Sequence, residues 1–408
     1  MISRALITVC IIGLLLTPSV SSGSHSVQST AQAAGSAPVV IPFELVNRHI
    51  VLKVQVNNSR PLSFLLDTGD QYAIIDLERA NELKLKLQGQ VHVSGAGSAL
   101  SNGSFVQDAV FTIPGFKGFS QPVALALPIA RMGPALGQDF DGIIGSDFIK
   151  ESVLELDYQA RTIKLHVKST FTYTGPGESV PIQLSHGHPI LSATVTPVGG
   201  APMEGKFVLD IGSGAGLALY SPFVASHRLL DNKLKTIKAF GGGAGGDITG
   251  QVGRVAELRI GKFKISNPIT LFSQDKEGAF ASDSIAGNIG AQIASKFKIF
   301  LDYSHERIIF EPNPTFAEPF DRAAGGIRVQ AEGKDFRTFR IKSVLENSPA
   351  SEAGLQEGDI INEIDGKPAS ELTLTKVNDL FERPAVYKLT VKRGEQILKL
   401  NLKPRQLI

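Results

Sequence analysis

Two short stretches of the sequence each place an aspartate between an apolar run and a glycine-containing turn. The first is FLLDTGD at 64–70, with Asp67, and the second is FVLDIGSGAG at 207–216, with Asp210. Two carboxyl groups held a few ångströms apart cannot easily both ionise, so they share a proton. One can then take a proton from water while the other gives one to a carbonyl oxygen. The two aspartates are therefore candidates for hydrolysis by an activated water.

Further landmarks recur after each aspartate. Asp67 is followed by Gly145 of DGIIG and Asp157 of LELDY, and Asp210 is followed by Gly290 of AGNIG and Asp302 of IFLDY. The three pairs lie 143, 145 and 145 residues apart along the chain. An internal repeat that keeps register in this way indicates two copies of one structural unit.

A glycine-rich segment stands between the landmarks of each copy, VSGAGSALSNGSF at 93–105 and FGGGAGGDITGQVG at 240–253. Glycine tolerates positive φ and leaves few side chains to fix a loop, so these segments are typical of mobile hairpins. We expect them to close over a cleft. The glycines concerned are Gly95, Gly97, Gly241, Gly242 and Gly243.

The elements that would position these residues are mostly strands. Short alternating runs such as HIVLKVQVN, RTIKLHV and RIIFEP are separated by Gly, Pro and Asn turns. Helical pattern is sparse, and its clearest examples are DLERANELKLKL at 76–87 and SPFVASHRLL at 221–230. The sequence therefore predicts a mainly β protein.

The doubled hydrophobic-hydrophobic-Asp-Thr-Gly and hydrophobic-hydrophobic-Gly pattern resembles the aspartic proteases of the pepsin and retropepsin clan. The bacterial group that carries a C-terminal PDZ domain is the most similar. The resemblance covers about residues 43–408. It implies a two-lobed pepsin/retropepsin-like β-barrel fold with a cleft, one catalytic aspartate from each lobe, and neither metal nor cofactor. The implied substrate is a peptide or an unfolded protein segment.

The resemblance also assigns roles to the residues around the aspartates. Gly69 and Gly212 would form the tight turns that aim the carboxyl groups, and Thr68 would hydrogen-bond the backbone of the other lobe. Ser213 matches the family pattern. Ile211 departs from it, because the family has a hydroxyl residue there, and Asp70 adds a third carboxylate where the family usually has Ser or Ala.

These departures leave two functions open. The chain is either an aspartic endopeptidase with a shifted pH optimum or a non-catalytic peptide-binding protein that keeps the fold. The intact aspartate pair favours the enzyme, while Ile211 and Asp70 favour the binding protein. A carboxyl pair within hydrogen-bond reach is what the enzyme requires.

The region from about residue 325 resembles a bacterial PDZ domain, with SPASEAGLQEGDIINEIDGKPA as its clearest part. The resemblance places a carboxylate-binding loop at Gly325, Gly326 and Ile327, where backbone N–H groups would receive a peptide C-terminus added as an extra strand. This module would bind a C-terminal peptide or regulate access to the cleft. The alternative is an appendage that stabilises the fold and binds no ligand.

The N-terminus carries twelve apolar residues, ALITVCIIGLLL at 5–16, followed by the small and polar TPSVSSGSHS. This run is too short to span a bilayer and is typical of a secretory signal peptide, with an uncleaved anchor as the alternative. Cys10 is the one cysteine and lies inside it. We therefore expect a secreted or periplasmic chain with no stable membrane span after cleavage and no disulfide.

Other chemistries find little support in the sequence. The net charge of +2 gives no reason to expect nucleic acid as a partner. Gly241, Gly243 and Gly246 satisfy GxGxxG by letter, but no helix pattern follows, and neither HExxH nor GxSxG is present. The eight histidines are scattered, and SHGH at 185–188 is predicted to be a solvated turn and no metal site.

These features divide the chain into five parts. They are a signal peptide at 1–25, a flexible spacer at 26–42, an N-terminal protease lobe at 43–174, a C-terminal protease lobe at 175–315, and an α+β PDZ domain at 322–408.

Overall fold

The computed structural model describes residues 37–95, 100–120, 123–231, 234–239, 242–243, 246–320 and 324–408. The described chain is mostly strand, as predicted. The predicted signal peptide and residues 26–36 of the predicted spacer lie outside the described residues. None of the helices in the described part of the chain has the length and hydropathy that crossing a membrane requires.

The first β unit runs from residue 39 to residue 166. Its strands are β1 (Val39–Pro42), β2 (Glu44–Val46), β3 (His49–Val56), β4 (Leu62–Leu66), β5 (Ala73–Asp76), β6 (Lys86–Ser94), β7 (Leu100–Gln107), β8 (Val110–Ile113), β9 (Phe116–Ser120), β10 (Ala124–Leu127), β11 (Gly142–Ile144), β12 (Val153–Asp157) and β13 (Thr162–His166). Its helices are α1 (Leu77–Glu82), α2 (Gly133–Leu136) and α3 (Ser146–Ile149), with a 3-10 turn at Ala130–Met132 before α2.

The second β unit runs from residue 178 to residue 312. Its strands are β14 (Glu178–Ser185), β15 (His188–Thr196), β16 (Met203–Asp210), β17 (Leu217–Leu219), β18 (Ile237–Lys238), β19 (Gly242–Gly243), β20 (Gly246–Asp247), β21 (Gly250–Arg254), β22 (Glu257–Ile260), β23 (Phe263–Ser266), β24 (Ile269–Ser273), β25 (Gly287–Gly290), β26 (Phe297–Asp302) and β27 (Arg307–Pro312). Its helices are α4 (Ser221–Ser226) and α5 (Ala291–Ala294), with 3-10 turns at Ala279–Ala281 and Tyr303–His305.

The C-terminal unit is α+β, as predicted. Its elements are β28 (Ile327–Glu332), β29 (Thr338–Val344), α6 (Pro349–Glu352), β30 (Ile360–Ile364), β31 (Lys367–Pro368), a 3-10 turn at Ala369–Glu371, α7 (Leu374–Phe381), β32 (Tyr387–Arg393) and β33 (Gln396–Leu402). The main strands form one sheet in the order β28-β29-β30-β32-β33, and α6 and α7 cover a separate apolar core.

The sequence repeat corresponds to a repeated topology. In the first unit β4 lies parallel to β11, which is antiparallel to β5, and in the second unit β16 lies parallel to β25, which is antiparallel to β17. Strands buried on both faces are near-continuously apolar. This explains why the chain reads FLL before Asp67 and FVL before Asp210.

The landmark glycines pack against the loops that follow the aspartates. A Cβ on Gly145 would lie 2.7 Å from the carbonyl oxygens of Asp70 and Tyr72, and one on Gly290 would lie 2.4 Å from that of Ala215. Only glycine allows so close an approach. The spacing between each aspartate and its glycine therefore reflects a contact that both copies make.

A shared sheet joins the two β units. Strand β12 of the first unit pairs antiparallel with β26 of the second, in the order β1-β13-β12-β26-β27-β14. The main apolar core includes residues of both units, among them Leu154, Leu156 and Leu301. This junction fixes the positions of the two aspartate loops relative to each other.

Two local expectations were wrong. The spacer predicted at 26–42 is too long, because Val39–Pro42 forms β1 and pairs with β13. The helical pattern at 76–87 ends early, at Glu82, where Lys84 adopts a positive φ of 55°. The following Leu-Lys-Leu alternates with the period of a strand, and residues from Lys86 onward pair with β7.

Candidate active site

Each aspartate of the pair ends a strand and accepts a backbone hydrogen bond from its own loop. Asp67 follows β4, and the N–H of Gly69 donates to its Oδ1 at 2.7 Å. Asp210 is the last residue of β16, and the N–H of Ser213 donates to its Oδ1 at 2.9 Å. These short turns aim both side chains at the junction of the two β units.

The two carboxyl groups meet there and share a side-chain hydrogen bond. Both are deeply enclosed, with the Asp67 side chain 8% exposed and Asp210 partly accessible. The structure thus brings together the two aspartates that the sequence singled out. Acid–base catalysis by a carboxyl pair requires the two groups to lie close together.

The glycines beside the aspartates are needed for space. A Cβ on Gly212 would lie 2.0 Å from the carboxyl carbon of Asp67, and one on Gly69 would lie 3.0 Å from a carboxyl oxygen of each aspartate. Neither glycine has a positive φ. The prediction that these turns need glycine for its backbone freedom was therefore wrong. Glycine is needed because the two loops approach each other closely.

Thr68 ties the two loops together, as the resemblance implied. Its Oγ1 donates to the carbonyl oxygen of Leu209 at 2.5 Å and accepts from the N–H of Ile211 at 3.0 Å. Ile211 cannot return this bond, because it has no hydroxyl, and its fully buried side chain joins the apolar core instead. The brace between the units is therefore made from one side only.

Burial and mutual repulsion make the site hold protons. Burial raises the pKa of Asp67 well above its usual range, and the charges of Asp210 and Asp70 raise it further. Burial also raises the pKa of Asp210, but hydrogen bonds from Asn288 and the Ser213 N–H oppose the effect. The pair titrates as a unit, and it retains a proton well above the pH at which an isolated aspartate would lose one.

Asp70 is a third buried carboxyl group, 3% exposed. Burial and the charge of Asp210 raise its pKa well above the usual range. Its Oδ2 has no hydrogen-bond partner among the described residues. A neutral Asp70 is the state that this environment favours, because an unpaired buried charge is costly.

Asn288, which lies on β25 and is 2% exposed, was not predicted as a site residue from the sequence. Its Nδ2 donates to Oδ2 of Asp210 at 2.6 Å. The aligned position of the first unit is Ile143. A polar residue inside an apolar strand run, at a position where the other copy is apolar, is the signal that could have found it.

Two buried histidines were also missed. His49 begins β3 and its ring faces the backbone of Gly212, while His188 begins β15 and its ring faces the backbone of Thr68. Burial lowers the pKa of each to about 4, so both are neutral at neutral pH. His188 is 1% exposed, which corrects the prediction of a solvated turn. Each histidine thus packs against the aspartate loop of the other unit.

Part of the predicted hairpins can be placed. Gly95 follows β6, and its carbonyl oxygen accepts from the N–H of Ala279 in the second unit at 3.3 Å. Gly242 and Gly243 form β19, which pairs with β20. Gly97 and Gly241 lie outside the described residues. The first hairpin thus reaches across to the opposite unit.

The predicted carboxylate-binding loop precedes the edge strand of the C-terminal unit. Gly326 has a φ of 75°, and the carbonyl oxygens of Gly325 and Gly326 accept from the N–H groups of Ala350 and Leu345. The N–H groups of the two glycines make no backbone bond to another described residue. Ile327 then begins β28, which pairs with β29 alone among the described strands. A free strand edge of this kind can receive an added strand.

The first β unit covers that edge. Helix α2 contacts β28, and Gly137 packs so closely on Leu374 of α7 that an added Cβ would lie 2.5 Å from the Leu374 Cβ. Asn378 of α7 donates to Oδ1 of Asn47 at 3.2 Å, and Arg48 pairs with Glu382 at 2.6 Å. The groove between β28 and α7 therefore faces the protease part of the chain.

No cluster of three or more His, Cys, Asp or Glu side chains in the described part of the chain could hold a metal ion. The three buried aspartates at the junction have raised pKa values. Their chemistry follows from burial and mutual proximity.

We expect Thr68→Val to lower the free energy of unfolding of the protease part by about 1–3 kcal/mol. Valine keeps the shape but leaves the Leu209 carbonyl and the Ile211 N–H buried and unpaired. Thermal and denaturant unfolding would measure the loss. Thr68→Ser retains the hydroxyl and is the matched control, so an equal loss in both variants would contradict the role of the hydrogen bonds.

Comparison with known families and proteins gives two domain matches. Residues 52–148 match a family described as aspartyl protease, and residues 340–393 match a family described as PDZ domain. The first match contains Asp67 and the second contains most of the C-terminal sheet. These matches confirm the predicted order of an aspartyl protease domain followed by a PDZ domain.

Relatives among curated proteins match short parts of the chain. A probable CtpA-like serine protease of Staphylococcus haemolyticus is 30% identical over 115 residues, which are 28% of this chain and 23% of that protein. The serine protease HTRA1 of Xenopus laevis is 31% identical over 67 residues, 16% of this chain and 14% of that protein. The chain thus spans less than a quarter of the length of either.

A solved structure of the HtrA3 PDZ domain bound to a phage-derived ligand is also similar. It covers 21% of this chain and 85% of that one, at 24% identity and a TM-score of 0.19. The two family matches identify an aspartyl protease domain at residues 52–148 and a PDZ domain at residues 340–393 of this chain.

Proposed function

We propose that the protein is an aspartic endopeptidase whose PDZ domain regulates access to the cleft or binds a C-terminal peptide. The observation that supports this most strongly is the hydrogen bond shared by the buried carboxyl groups of Asp67 and Asp210. Two aspartates from separate strands, 143 residues apart, meet at the junction of two units with the same strand order. A structural role alone would not require two buried carboxyl groups to face each other.

The reaction follows from the shared proton. The ionised member accepts a proton from a water molecule as that water attacks the carbonyl carbon of the peptide bond, and the protonated member gives its proton to the carbonyl oxygen. As the diol collapses and the C–N bond breaks, the member that took the water proton gives it to the leaving nitrogen, and a diol hydroxyl gives a proton back to the other member. The raised pKa values of Asp67 and Asp210 keep one proton on the pair over the pH range in which the reaction proceeds.

The substrate class follows from the surroundings of the site. An apolar cluster of the first unit joins Ile74 and Ile143 to Val91 and Val93 on the hairpin strand β6. Its partly exposed members include Tyr72, Phe105 and Met132. Peptides or unfolded segments with apolar side chains near the cut suit such a surface.

The similarity to serine proteases does not favour a serine-protease mechanism for this chain. Their alignments cover at most 28% of this chain. Among the described residues, three serine hydroxyls lie within hydrogen-bond reach of a histidine, those of Ser185, Ser226 and Ser304. In each case the histidine is the next residue in the sequence, and the contact is exposed to solvent. A serine nucleophile needs a base that a third group orients.

One observation favours a second candidate, a non-catalytic peptide-binding protein. The brace between the loops is one-sided, because Ile211 has no hydroxyl. A peptide-cleavage experiment separates the two candidates, since a binding protein would retain the fold and the peptide affinity but would not cut the peptide.

We expect Asp67→Asn and Asp210→Asn each to lower kcat on a peptide library by about 10²–10⁴-fold across pH 3–8, because acid–base catalysis has lost one partner. Mass spectrometry of the fragments formed over time would measure the fall in cleavage rate. Asp108→Asn, at an exposed turn, is the matched control and should cut like the wild type.

Thermal unfolding must first show that each variant is folded. Inert wild-type protein throughout this pH range would contradict the endopeptidase. Cleavage that both variants retain, or that a serine-directed fluorophosphonate abolishes, would contradict the aspartate mechanism.

The contacts of the PDZ domain favour regulation. The first unit lies against the groove through α2, Asn47 and Arg48. Arg328 of β28 also faces Asp247 of the second-unit hairpin at 3.4 Å. A peptide added beside β28 would occupy space next to α2. Ligand binding and the closed arrangement are therefore expected to compete.

We expect Arg48→Glu to raise kcat/KM for casein, an unfolded protein, by up to about fivefold, because the pair with Glu382 is partly exposed and contributes little more than about 1 kcal/mol. The charge-swapped double variant Arg48→Glu with Glu382→Arg should return towards the wild-type value. Equal kcat/KM in all three proteins, or a fall that the swap does not reverse, would contradict regulation by this contact.

A further inference from the structure

The two aspartates are alike in sequence but differ in their hydrogen-bond donors. Asp67 accepts from the N–H of Gly69. Asp210 accepts from the N–H of Ser213 and also from the side-chain amide of Asn288. The second unit thus supplies a donor that the first unit, with Ile143 at the aligned position, does not have.

Apart from this hydrogen bond, the surroundings of Asn288 are unfavourable for a polar side chain. Asn288 is 2% exposed, and its Oδ1 has no hydrogen-bond partner among the described residues. Its neighbours across β25 are Val208 and Ala218. A buried amide that leaves its oxygen unpaired is less stable than an apolar side chain of the same size. Among the described residues, the hydrogen bond of 2.6 Å to Asp210 is the one that this side chain makes in return.

A donor at this distance discriminates between the two protonation states of the carboxyl group. An N–H bond to a carboxylate is charge-assisted and stronger than a bond to a neutral acid, so it favours the ionised form. The hydrogen bond between the carboxyl groups then has its donor on Asp67.

The other titratable groups around the pair leave this asymmetry in place. His49 and His188 are neutral, because burial lowers the pKa of each to about 4. Asp70 and Tyr303 are buried, and burial raises the pKa of both, which favours their neutral forms. None of these four groups therefore brings a charge that would reverse the order of ionisation near neutral pH.

We propose that Asn288 is a positioning residue that holds Asp210 as the ionised member of the pair and leaves the shared proton on Asp67. The inference rests on the proposed function and assigns the roles within it. Asp210 takes the proton of the attacking water, and Asp67 gives its proton to the carbonyl oxygen. On collapse of the diol, Asp210 gives its proton to the leaving nitrogen, and a diol hydroxyl returns one to Asp67.

The test is a titration of the carboxyl groups that does not depend on activity. The protein is labelled with ¹³C at the aspartate carboxyl carbons, and the spectrum is recorded from pH 2 to pH 9, with Asp67→Asn and Asp210→Asn used for assignment. We expect the first ionisation of the pair to move mainly the Asp210 resonance. Movement of the Asp67 resonance in that step would overturn the proposal, even without a variant of Asn288.

Asn288→Leu tests the cause. Loss of the donor removes stabilisation of the ionised form, so the first ionisation should rise by about one to two pH units and be spread over both resonances. The acid limb of kcat/KM should move to higher pH by the same amount. Ile143→Leu on β11 is the matched control and should leave the titration unchanged. An unchanged titration in folded Asn288→Leu would contradict the role of Asn288.

The two proposals fail in different ways. A wild-type protein that cuts no peptide but ionises first at Asp210 would contradict the endopeptidase and retain the role of Asn288. A wild-type protein that cuts peptides but ionises first at Asp67 would support the endopeptidase and contradict the role of Asn288.

Discussion

A hydrogen bond between two buried carboxyl groups requires that one of them keep its proton, and the rest of the structure makes this possible. Asp67 and Asp210 would repel each other as two carboxylates, and burial would add the cost of removing both charges from water. The loops that hold them are therefore fixed from several sides. Thr68 bonds the opposite loop, the landmark glycines pack beneath each turn, and the shared sheet anchors both units.

The same arrangement connects the carboxyl pair to the outer parts of the molecule. The hairpin at Gly95 touches the second unit through Ala279. Helix α2 lies between the apolar cluster beneath that hairpin, through Leu136, and the groove of the PDZ domain. A change in the PDZ contact thus has a packed route towards the hairpin strand β6, whose Val91 and Val93 belong to the same cluster. Regulation of the cleft by the PDZ domain is consistent with this continuity.

The sequence predicted the parts of the site that both repeats share. Asp67 and Asp210 were found because the apolar runs, the turns and the landmark glycines recur in register, and the structure explains that register by one packing contact made twice. Asn288 was not found, because its meaning depends on which residue of β25 faces Asp210. His188 was placed in a solvated turn, but its ring is buried and faces the Thr68 backbone of the first unit, a contact distant in sequence. β1 was assigned to a spacer, since VVIP forms a strand by pairing with residues more than 100 positions away.

The most direct test of a shared proton between Asp67 and Asp210 is a crystal structure of the wild-type protein at atomic resolution near pH 5. We expect a carboxyl oxygen of Asp67 to lie about 2.5–3.0 Å from one of Asp210, with one of the four C–O bonds lengthened by a proton. Carboxyl groups separated beyond hydrogen-bond reach in the closed form, or four equivalent C–O bonds, would contradict it.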